Sequence, residues 1–79
     1  MMARLVLFGP ARVAADTSGD EVPGTTVGDV LDAASARYGA AFATVLPTCV
    51  LWVNGEPASR EQRLVAGDEL GVLPPFSGG

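Results

Sequence analysis

The 79-residue sequence contains no histidine and no lysine, and its five basic residues are all arginine. Without histidine the chain has no histidine general base and no histidine-containing metal site; without lysine it has no Schiff-base or P-loop lysine. Most routes to a self-contained enzyme are therefore closed. The chain also lacks the side-chain amine that accepts an isopeptide bond, so it can modify other proteins but is a poor acceptor itself.

Cysteine, long apolar runs and positive charge are also scarce. The single cysteine, Cys49, excludes an internal disulfide and a cysteine cluster for a metal, and its apolar neighbours favour a buried, unreactive thiol. No apolar run has the length of a membrane span, and the N-terminus lacks the features of a signal peptide. A net charge of -4 disfavours nucleic acid and anionic lipid and favours a basic docking surface on another protein. We expect a cytoplasmic protein.

Apolar runs separated by turn signals predict one α+β domain. The first and last runs are the most apolar, so we expect these two strands to pair in the centre of the sheet. Asn54-Gly55 is a strong hairpin signal, because both residues tolerate positive φ. Prolines place two of the short strands at sheet edges. The predicted strands are residues 5–8, 21–23, 49–53, 56–58 and 69–73.

One strong helix is predicted from Thr26 to Gly39. Thr26 is a good N-cap, Asp29 completes a capping-box pattern, and Gly39 is a natural C-terminal cap. Asp29 and Asp32 are interpreted as charges that complement the helix dipole rather than as metal ligands. We expect a single helical turn at 11–15 and a loop at 40–48. The apolar face of the main helix comprises Val27, Val30, Leu31, Ala34 and Tyr38, and the loop has Phe42 and Leu46 as its anchors.

The last strand leads into Pro74-Pro75 and then into Phe76-Ser77-Gly78-Gly79. Prolines favour a stiff, extended backbone, and glycines without side chains can thread a narrow tunnel. We therefore divide the chain into a folded domain at 1–75 and a flexible tail at 76–79 that is suited to insertion into a partner's active site.

Five motifs of the chain form a recognisable set: Leu5–Phe8, Thr25–Leu31, Val53–Gly55, Gly67–Leu70 and Leu73–Gly79. Together they resemble the MoaD/ThiS family of sulfur carriers. The family's fold is the ubiquitin-like β-grasp, which implies a mixed sheet of four to five strands with one main helix packed across one face. The ending resembles MoaD, the small subunit of molybdopterin synthase, more than ThiS.

The resemblance implies that Gly79 is the reacting residue. A MoeB-like activating enzyme would use ATP to adenylate its carboxylate, and a sulfur nucleophile would displace AMP to leave a thiocarboxylate. A MoaE-like large subunit, in an assembly such as a heterotetramer, would then transfer the sulfur to a pterin precursor of the molybdenum cofactor. The chain is thus a carrier and not an enzyme. It binds no metal or cofactor of its own, and the catalytic groups belong to its partners.

The resemblance also gives the remaining site residues their roles. The tail-insertion residues are Gly78, Ser77, Phe76, Pro75 and Pro74. Phe8 and Leu73 are expected to dock the partner on the sheet face opposite the helix. Trp52 has the same candidate role, but ordinary core packing is the preferred interpretation, since large aromatic residues most often fill cores.

Three alternatives remain open from the sequence. The sulfur could serve thiamine, cysteine or a sulfur-containing natural product instead of molybdopterin. The chain could be a ubiquitin-like modifier that is joined to target lysines through Gly79. It could also be a plain β-grasp interaction module in which Gly78-Gly79 is incidental.

Overall fold

The computed structural model describes residues 2–75, and the predicted tail at 76–79 lies outside the described residues. Five strands form one mixed sheet in the order β2-β1-β5-β3-β4. Helices of unequal length connect them. The elements are β1 (Met2–Leu7), α1 (Gly9–Ala15), β2 (Gly19–Pro23), α2 (Val27–Tyr38), α3 (Ala40–Val45), a 3-10 turn (Leu46–Thr48), β3 (Val50–Val53), β4 (Glu56–Pro57) and β5 (Glu69–Leu73).

The first and last strands are neighbours at the centre of the sheet, as the sequence predicts. β1 and β5 run parallel, with Leu5 opposite Leu70 and Leu7 opposite Val72. β5 also pairs antiparallel with β3, so it is hydrogen-bonded on both sides. The short strands β2 and β4 are the two edges, and the prolines at 23 and 57 lie there as expected.

The core fills the space between the helices and one face of the sheet. Along β1 the buried side chains alternate with more exposed ones, because successive residues of a strand point to opposite faces. The helices cover only the face that carries the buried set. The buried residues are Ala3, Leu5, Leu7, Ala11, Val22, Val27, Val30, Leu31, Ala34, Phe42, Val53, Leu64, Leu70 and Val72.

Helix α2 has the ends that its sequence predicts. The Thr26 hydroxyl accepts a hydrogen bond from the Asp29 amide at 3.1 Å, and the Asp29 carboxylate accepts one from the Thr25 hydroxyl at 2.9 Å. Two further amides at this end donate outside the helix, from Val27 to the Gln62 carbonyl and from Gly28 to the Arg60 carbonyl. The otherwise unsatisfied N-terminal amides of the helix are thereby bonded.

The prediction of a loop at 40–48 is wrong. Residues 40–45 form helix α3, and a 3-10 turn follows. Gly39 and Pro47 suggested a loop, but the alanine-rich stretch between them has good helix propensity and buries Phe42 completely. Phe42 is therefore the anchor that the sequence predicts, and it packs edge-on against Tyr38 with ring centroids 5.2 Å apart.

Several smaller boundaries also differ from the prediction: β1 spans Met2–Leu7 rather than 5–8, β3 begins at Val50, and β4 ends at Pro57. Helix α1 has seven residues and begins at Gly9, since Pro10 fits the first turn of a helix, where no amide donor is needed. Strand β2 begins at Gly19 rather than at Glu21. Among residues 2–75, no helix is both long and apolar enough to cross a membrane.

Candidate docking site on the open sheet face

The sheet face opposite the helices, which we call the open face, has no covering element among residues 2–75. Arg4 and Val6 of β1 lie on this face, and Phe8, the residue after β1, follows them. On β5 it carries Glu69, Gly71 and Leu73, and on β3 it carries Trp52. Apolar side chains on an uncovered face are typical of an interaction surface.

A cavity of about 190 Å³ lies on the open face beside the end of β5. Two aromatic residues and one leucine form its walls: Phe8, which follows β1, is 45% exposed, and Trp52 of β3 and Leu73 of β5 are half-buried. The cavity is lined by Phe8, Trp52, Gly55, Glu69, Gly71 and Leu73. The structure thus brings together Phe8 and Leu73, the two residues that the sequence assigned to docking.

Trp52 corrects the preferred interpretation of the sequence. It pairs with Gly71 across β3 and β5, whereas its neighbours Leu51 and Val53 point towards the core. Trp52 is therefore not a core residue. The alternation of side chains along β3 places the indole on the open face, in the wall of the cavity.

Gly71 is a residue of this site that sequence reasoning missed. It lies in the middle of β5, opposite Val6 on one side and Trp52 on the other, and its missing side chain leaves the depression between them. A β-carbon at this position would lie 3.2 Å from Cδ1 of Leu73. Glycine inside a strand often marks a place where another molecule approaches closely, and that signal was available from the sequence.

A hydrogen-bonded turn fixes the rim of the cavity. The Asn54 amide group donates to Asp68 at 2.9 Å, and the Asn54 side-chain oxygen accepts from the Glu69 amide at 2.9 Å. The backbone amide of Val65, and then the side chain of Asn54, lower the pKa of Asp68 by hydrogen bonding to its carboxylate. These bonds hold the β3–β4 turn, and with it Gly55, beside the first residue of β5.

The chain leaves the folded domain at the same place. The Phe8 amide donates to the Val72 carbonyl at 3.0 Å, which extends the β1–β5 ladder beyond Leu7. Leu73 and Pro74 are half-buried, and Pro75 is exposed. Four of the predicted site residues, Phe76, Ser77, Gly78 and Gly79, lie outside the described residues.

Both aspartates of α2 interact with neighbouring residues of the same chain. Asp29 caps the helix, and hydrogen bonds from Thr25 lower the pKa of Asp29. Asp32 pairs with Arg60 at 2.7 Å. Within the part of the chain that the structure describes, no group of three or more cysteine or acidic side chains is placed to hold a metal ion.

Cys49 lies on the other side of the sheet from the docking cavity. Its thiol is half-buried and donates to the Val45 carbonyl at 3.4 Å, and burial raises the pKa of the thiol. It borders a depression of about 510 Å³ between α2 and α3, which Leu31 and Leu46 also line. A thiol in its protonated form is a poor nucleophile, which agrees with the prediction that Cys49 is unreactive.

Comparison with known proteins gives this architecture a class. The chain superposes along its whole length on SAMP1 from Haloferax volcanii, with 30% identity, coverage of 100% of both chains and a TM-score of 0.86. The mixed sheet and its helices form a ubiquitin-like β-grasp fold. A comparison with curated protein sequences finds no significant match.

The family follows from the sequence. The model of the ThiS family matches residues 5–79, so the chain belongs to the ThiS family, whose members are small carrier proteins rather than enzymes.

Two further structures show the same fold at lower identity. A putative molybdopterin converting factor subunit 1 from Pyrococcus furiosus has 23% identity and a TM-score of 0.85, with 96% of this chain and 99% of that chain covered. A complex of subunits 1 and 2 of the molybdopterin-converting factor from Helicobacter pylori has 22% identity, a TM-score of 0.73 and full coverage of both chains. The latter protein is therefore known in complex with a second subunit.

Proposed function

We propose that this protein carries sulfur as a thiocarboxylate on Gly79 and donates it in molybdopterin synthesis. Membership of the ThiS family supports the carrier role. The observation that carries the proposal is the apolar cavity on the open face, which lies directly beside the point where Pro74 and Pro75 lead into the Gly-Gly segment. A partner seated on this cavity is close to the tail that it must react with.

Two substitution steps would charge the tail with sulfur. The Gly79 carboxylate attacks the α-phosphorus of ATP, and pyrophosphate leaves with the formation of an acyl-adenylate. Hydrosulfide then attacks the acyl carbon, the bond to the adenylate oxygen breaks, and AMP leaves to give the thiocarboxylate. Activation is needed because AMP is a better leaving group than oxide. A MoeB-like activating enzyme supplies the ATP site and the catalytic groups.

In this proposal a MoaE-like large subunit receives the charged carrier. Its active site would bind the tail from Pro74 to Gly79, while the open face docks through Phe8, Trp52 and Leu73. The activating enzyme would dock on the same face before the large subunit does. The molybdopterin-converting factor complex of Helicobacter pylori, which joins two subunits and contains a chain of this fold, supports such an assembly.

The direct test is the intact mass of the chain after incubation with ATP, hydrosulfide and a MoeB-type enzyme. We expect the mass to change by the replacement of one oxygen with sulfur, and only when ATP is present. Oxidation of a methionine adds nearly the same mass, so the change must be located in the C-terminal peptide. A chain that lacks Gly79 is the control. An unchanged mass, with a known carrier reacting in the same assay, would overturn the proposal for that enzyme.

Substitution of Phe8 tests the docking surface. Phe8→Ala removes an aromatic wall of the cavity, and we expect KM for the activating enzyme to rise about tenfold, the effect of losing an interface side chain worth roughly 1.4 kcal/mol. Val13→Ala is the matched control, because Val13 is 80% exposed on α1 and lies outside the cavity. Equal KM values for the two variants would show that the partner docks elsewhere.

Protein modification is the second candidate function. The observation in its favour is the full-length likeness to SAMP1, whose name is small archaeal modifier protein 1. In that case Gly79 would form an isopeptide bond with a lysine of another protein. Digestion of cell proteins with chymotrypsin, which cleaves after Phe76, followed by mass spectrometry would reveal a Ser-Gly-Gly remnant on target lysines. Remnants that depend on this chain would support the modifier, and a mass change at Gly79 without any remnant would favour the carrier alone.

A further inference from the structure

The junction between β1 and α1 lies unusually close to Pro74, the residue at which the fold ends. Gly9 begins α1 with φ +57°. A β-carbon at this position would lie 3.1 Å from Cγ, 3.3 Å from Cδ and 3.4 Å from Cβ of Pro74. Carbon atoms in proteins rarely approach within such distances, so a side chain at position 9 requires Pro74 to move.

Backbone conformation alone does not explain the glycine at this position. Asp16 also has φ +57° and Asn54 has φ +50°, so this fold accepts side chains in the left-handed region. The contrast with other glycines is equally clear, because a β-carbon on Gly39 or Gly67, both of positive φ, would meet no atom within 4 Å. What sets Gly9 apart is the space that Pro74 occupies.

The contact with Gly9 holds Pro74, the last residue that is packed against the domain. The Val72 carbonyl accepts a hydrogen bond from the Phe8 amide. Pro74 then lies against Gly9, and Pro75 is exposed. The ring of Pro74 fixes its own φ, so holding the ring also constrains the direction of the following peptide bond. Gly9 is adjacent in sequence to Phe8, a wall of the docking cavity.

We propose that Gly9 is a positioning residue, which admits Pro74 to the β1–α1 junction and so fixes the direction in which the chain leaves the docking surface. The functional consequence of this inference rests on the proposed carrier function, whereas the contact between Gly9 and Pro74 does not. Four residues follow Pro75, and an extended chain of that length spans at most about 14 Å. Gly79 can therefore reach only a limited volume beside a partner that is docked on the open face. A change of direction at Pro74 moves that volume.

The first arm of the test examines the free protein by NMR. We compare Gly9→Ala with Gly67→Ala, since both place a β-carbon on a backbone of positive φ but only the first meets Pro74. We expect the signals of Pro74 and Pro75 to shift in Gly9→Ala and to stay in place in Gly67→Ala, and contacts between protons of residues 9 and 74 to be seen in the wild type. Unchanged Pro74 and Pro75 signals in a folded Gly9→Ala protein would overturn the proposal.

The second arm measures adenylation of the same variants by an activating enzyme. We expect Gly9→Ala to lower kcat on the order of tenfold while KM stays within about twofold, because the docking surface is retained and the reacting group is misplaced. Gly67→Ala should match the wild type in both constants. A loss confined to KM, or an equal loss in the two variants, would contradict a positioning role.

A double-mutant cycle separates the contact from general instability. Pro74→Ala removes the Cγ and Cδ atoms that a β-carbon at position 9 would meet, so the Gly9→Ala substitution should reduce kcat less in that background. The same reduction in both backgrounds would overturn the proposal. Should Gly9→Ala fold poorly, Gly9→Asn keeps the β-carbon on a residue that tolerates positive φ.

The two arms also distinguish this inference from the proposed function. If the wild type is not adenylated while a known carrier reacts, the carrier function fails for that enzyme, and the NMR comparison still decides whether Gly9 positions Pro74.

Discussion

At the scale of single residues, Tyr38 at the end of α2 and Asp20 in β2 both have strongly shifted pKa values. The Tyr38 hydroxyl donates to the Asp20 carboxylate at 2.5 Å, and Arg37 pairs with the same carboxylate at 2.8 Å. Hydrogen bonds from Tyr38, and then from Arg37, lower the pKa of Asp20 to about 2. Burial, and then the hydrogen bond to Asp20, raise the pKa of Tyr38 to about 12.

The two shifts affect stability at opposite ends of the pH range. Because the pKa of Asp20 is depressed in the folded state, its contribution is present above the ordinary value of 3.8 and is lost as the pH falls towards about 2. Because the pKa of Tyr38 is raised, its contribution is present below the ordinary value of 10.0 and is lost as the pH rises towards about 12.

An absorbance titration of Tyr38 tests this arrangement directly. We expect a midpoint near 12 in the wild type and a lower midpoint in Asp20→Asn, which removes the charged acceptor. Circular dichroism recorded in parallel must show that the protein is folded at each pH. A midpoint of 10.0, the ordinary pKa of tyrosine, in the folded protein would contradict the arrangement.

Individual side chains were also where sequence reasoning was least reliable. Phe8 and Trp52 are both aromatic residues of apolar segments, and composition alone could not tell which face of the sheet each would occupy. The register decides it, because a shift of one residue reverses every side chain of a strand. Phe42 was predicted as a core anchor correctly even though the backbone around it was predicted wrongly, since its burial depends on its apolar surface rather than on the conformation of its neighbours.

At the scale of elements, the N-terminal end of α2 provides the clearest local stabilisation. The Thr26 hydroxyl accepts from the Asp29 amide, and the Thr26 backbone forms an isolated bridge with Arg63. Helix caps of this type contribute about 1 kcal/mol. The cap matters for the whole fold because α2 supplies four of the fully buried core residues.

We expect Thr26→Ala to lower the free energy of unfolding by about 1 kcal/mol, and thereby Tm by roughly 4–8 °C. Thr44→Ala is the matched control: its hydroxyl is exposed and donates within α3 to the Ala40 carbonyl, so we expect a change within about 0.5 kcal/mol. Thermal and urea unfolding of both variants measure the difference. Equal losses would mean that the Thr26 cap adds nothing beyond an ordinary exposed threonine.

The elements differ in how well the sequence predicted them, and the reason is physical. Helix α2 has a cap, an apolar face at helical spacing and a terminating glycine, so local and tertiary preferences agree. Helix α3 has six residues and no side-chain cap, and it exists because packing against α1 and α2 buries Phe42. Isolated segments of this length do not form stable helices in water, so only the tertiary structure determines α3.

At the scale of the whole molecule, the pattern of pairing sets which parts open first. β5 is bonded on both sides and carries the fully buried Leu70 and Val72, whereas β4 has two exposed residues at an edge. We expect the amides of Leu70 and Val72 to exchange with solvent only on global unfolding. The Glu56 amide should exchange faster on the order of a hundredfold or more, through local opening.

Native-state hydrogen exchange followed by NMR measures these rates. Addition of a little denaturant should accelerate exchange of the β5 amides and leave that of Glu56 nearly unchanged, because only the former expose large surface when they open. Similar rates and similar denaturant dependence for the two strands would contradict the prediction.

The parallel pairing of β1 and β5 also has a mechanical meaning. The two strands run in the same direction, so the chain enters the pair beside Met2 and leaves it beyond Leu73, at the opposite end. A force that pulls on Pro75 while the rest of the domain is held loads the hydrogen bonds of this ladder together, along the strands, instead of breaking them one after another. A pull on the segment beyond Pro74 therefore loads the β1–β5 pair in shear, the direction in which all its hydrogen bonds resist at once.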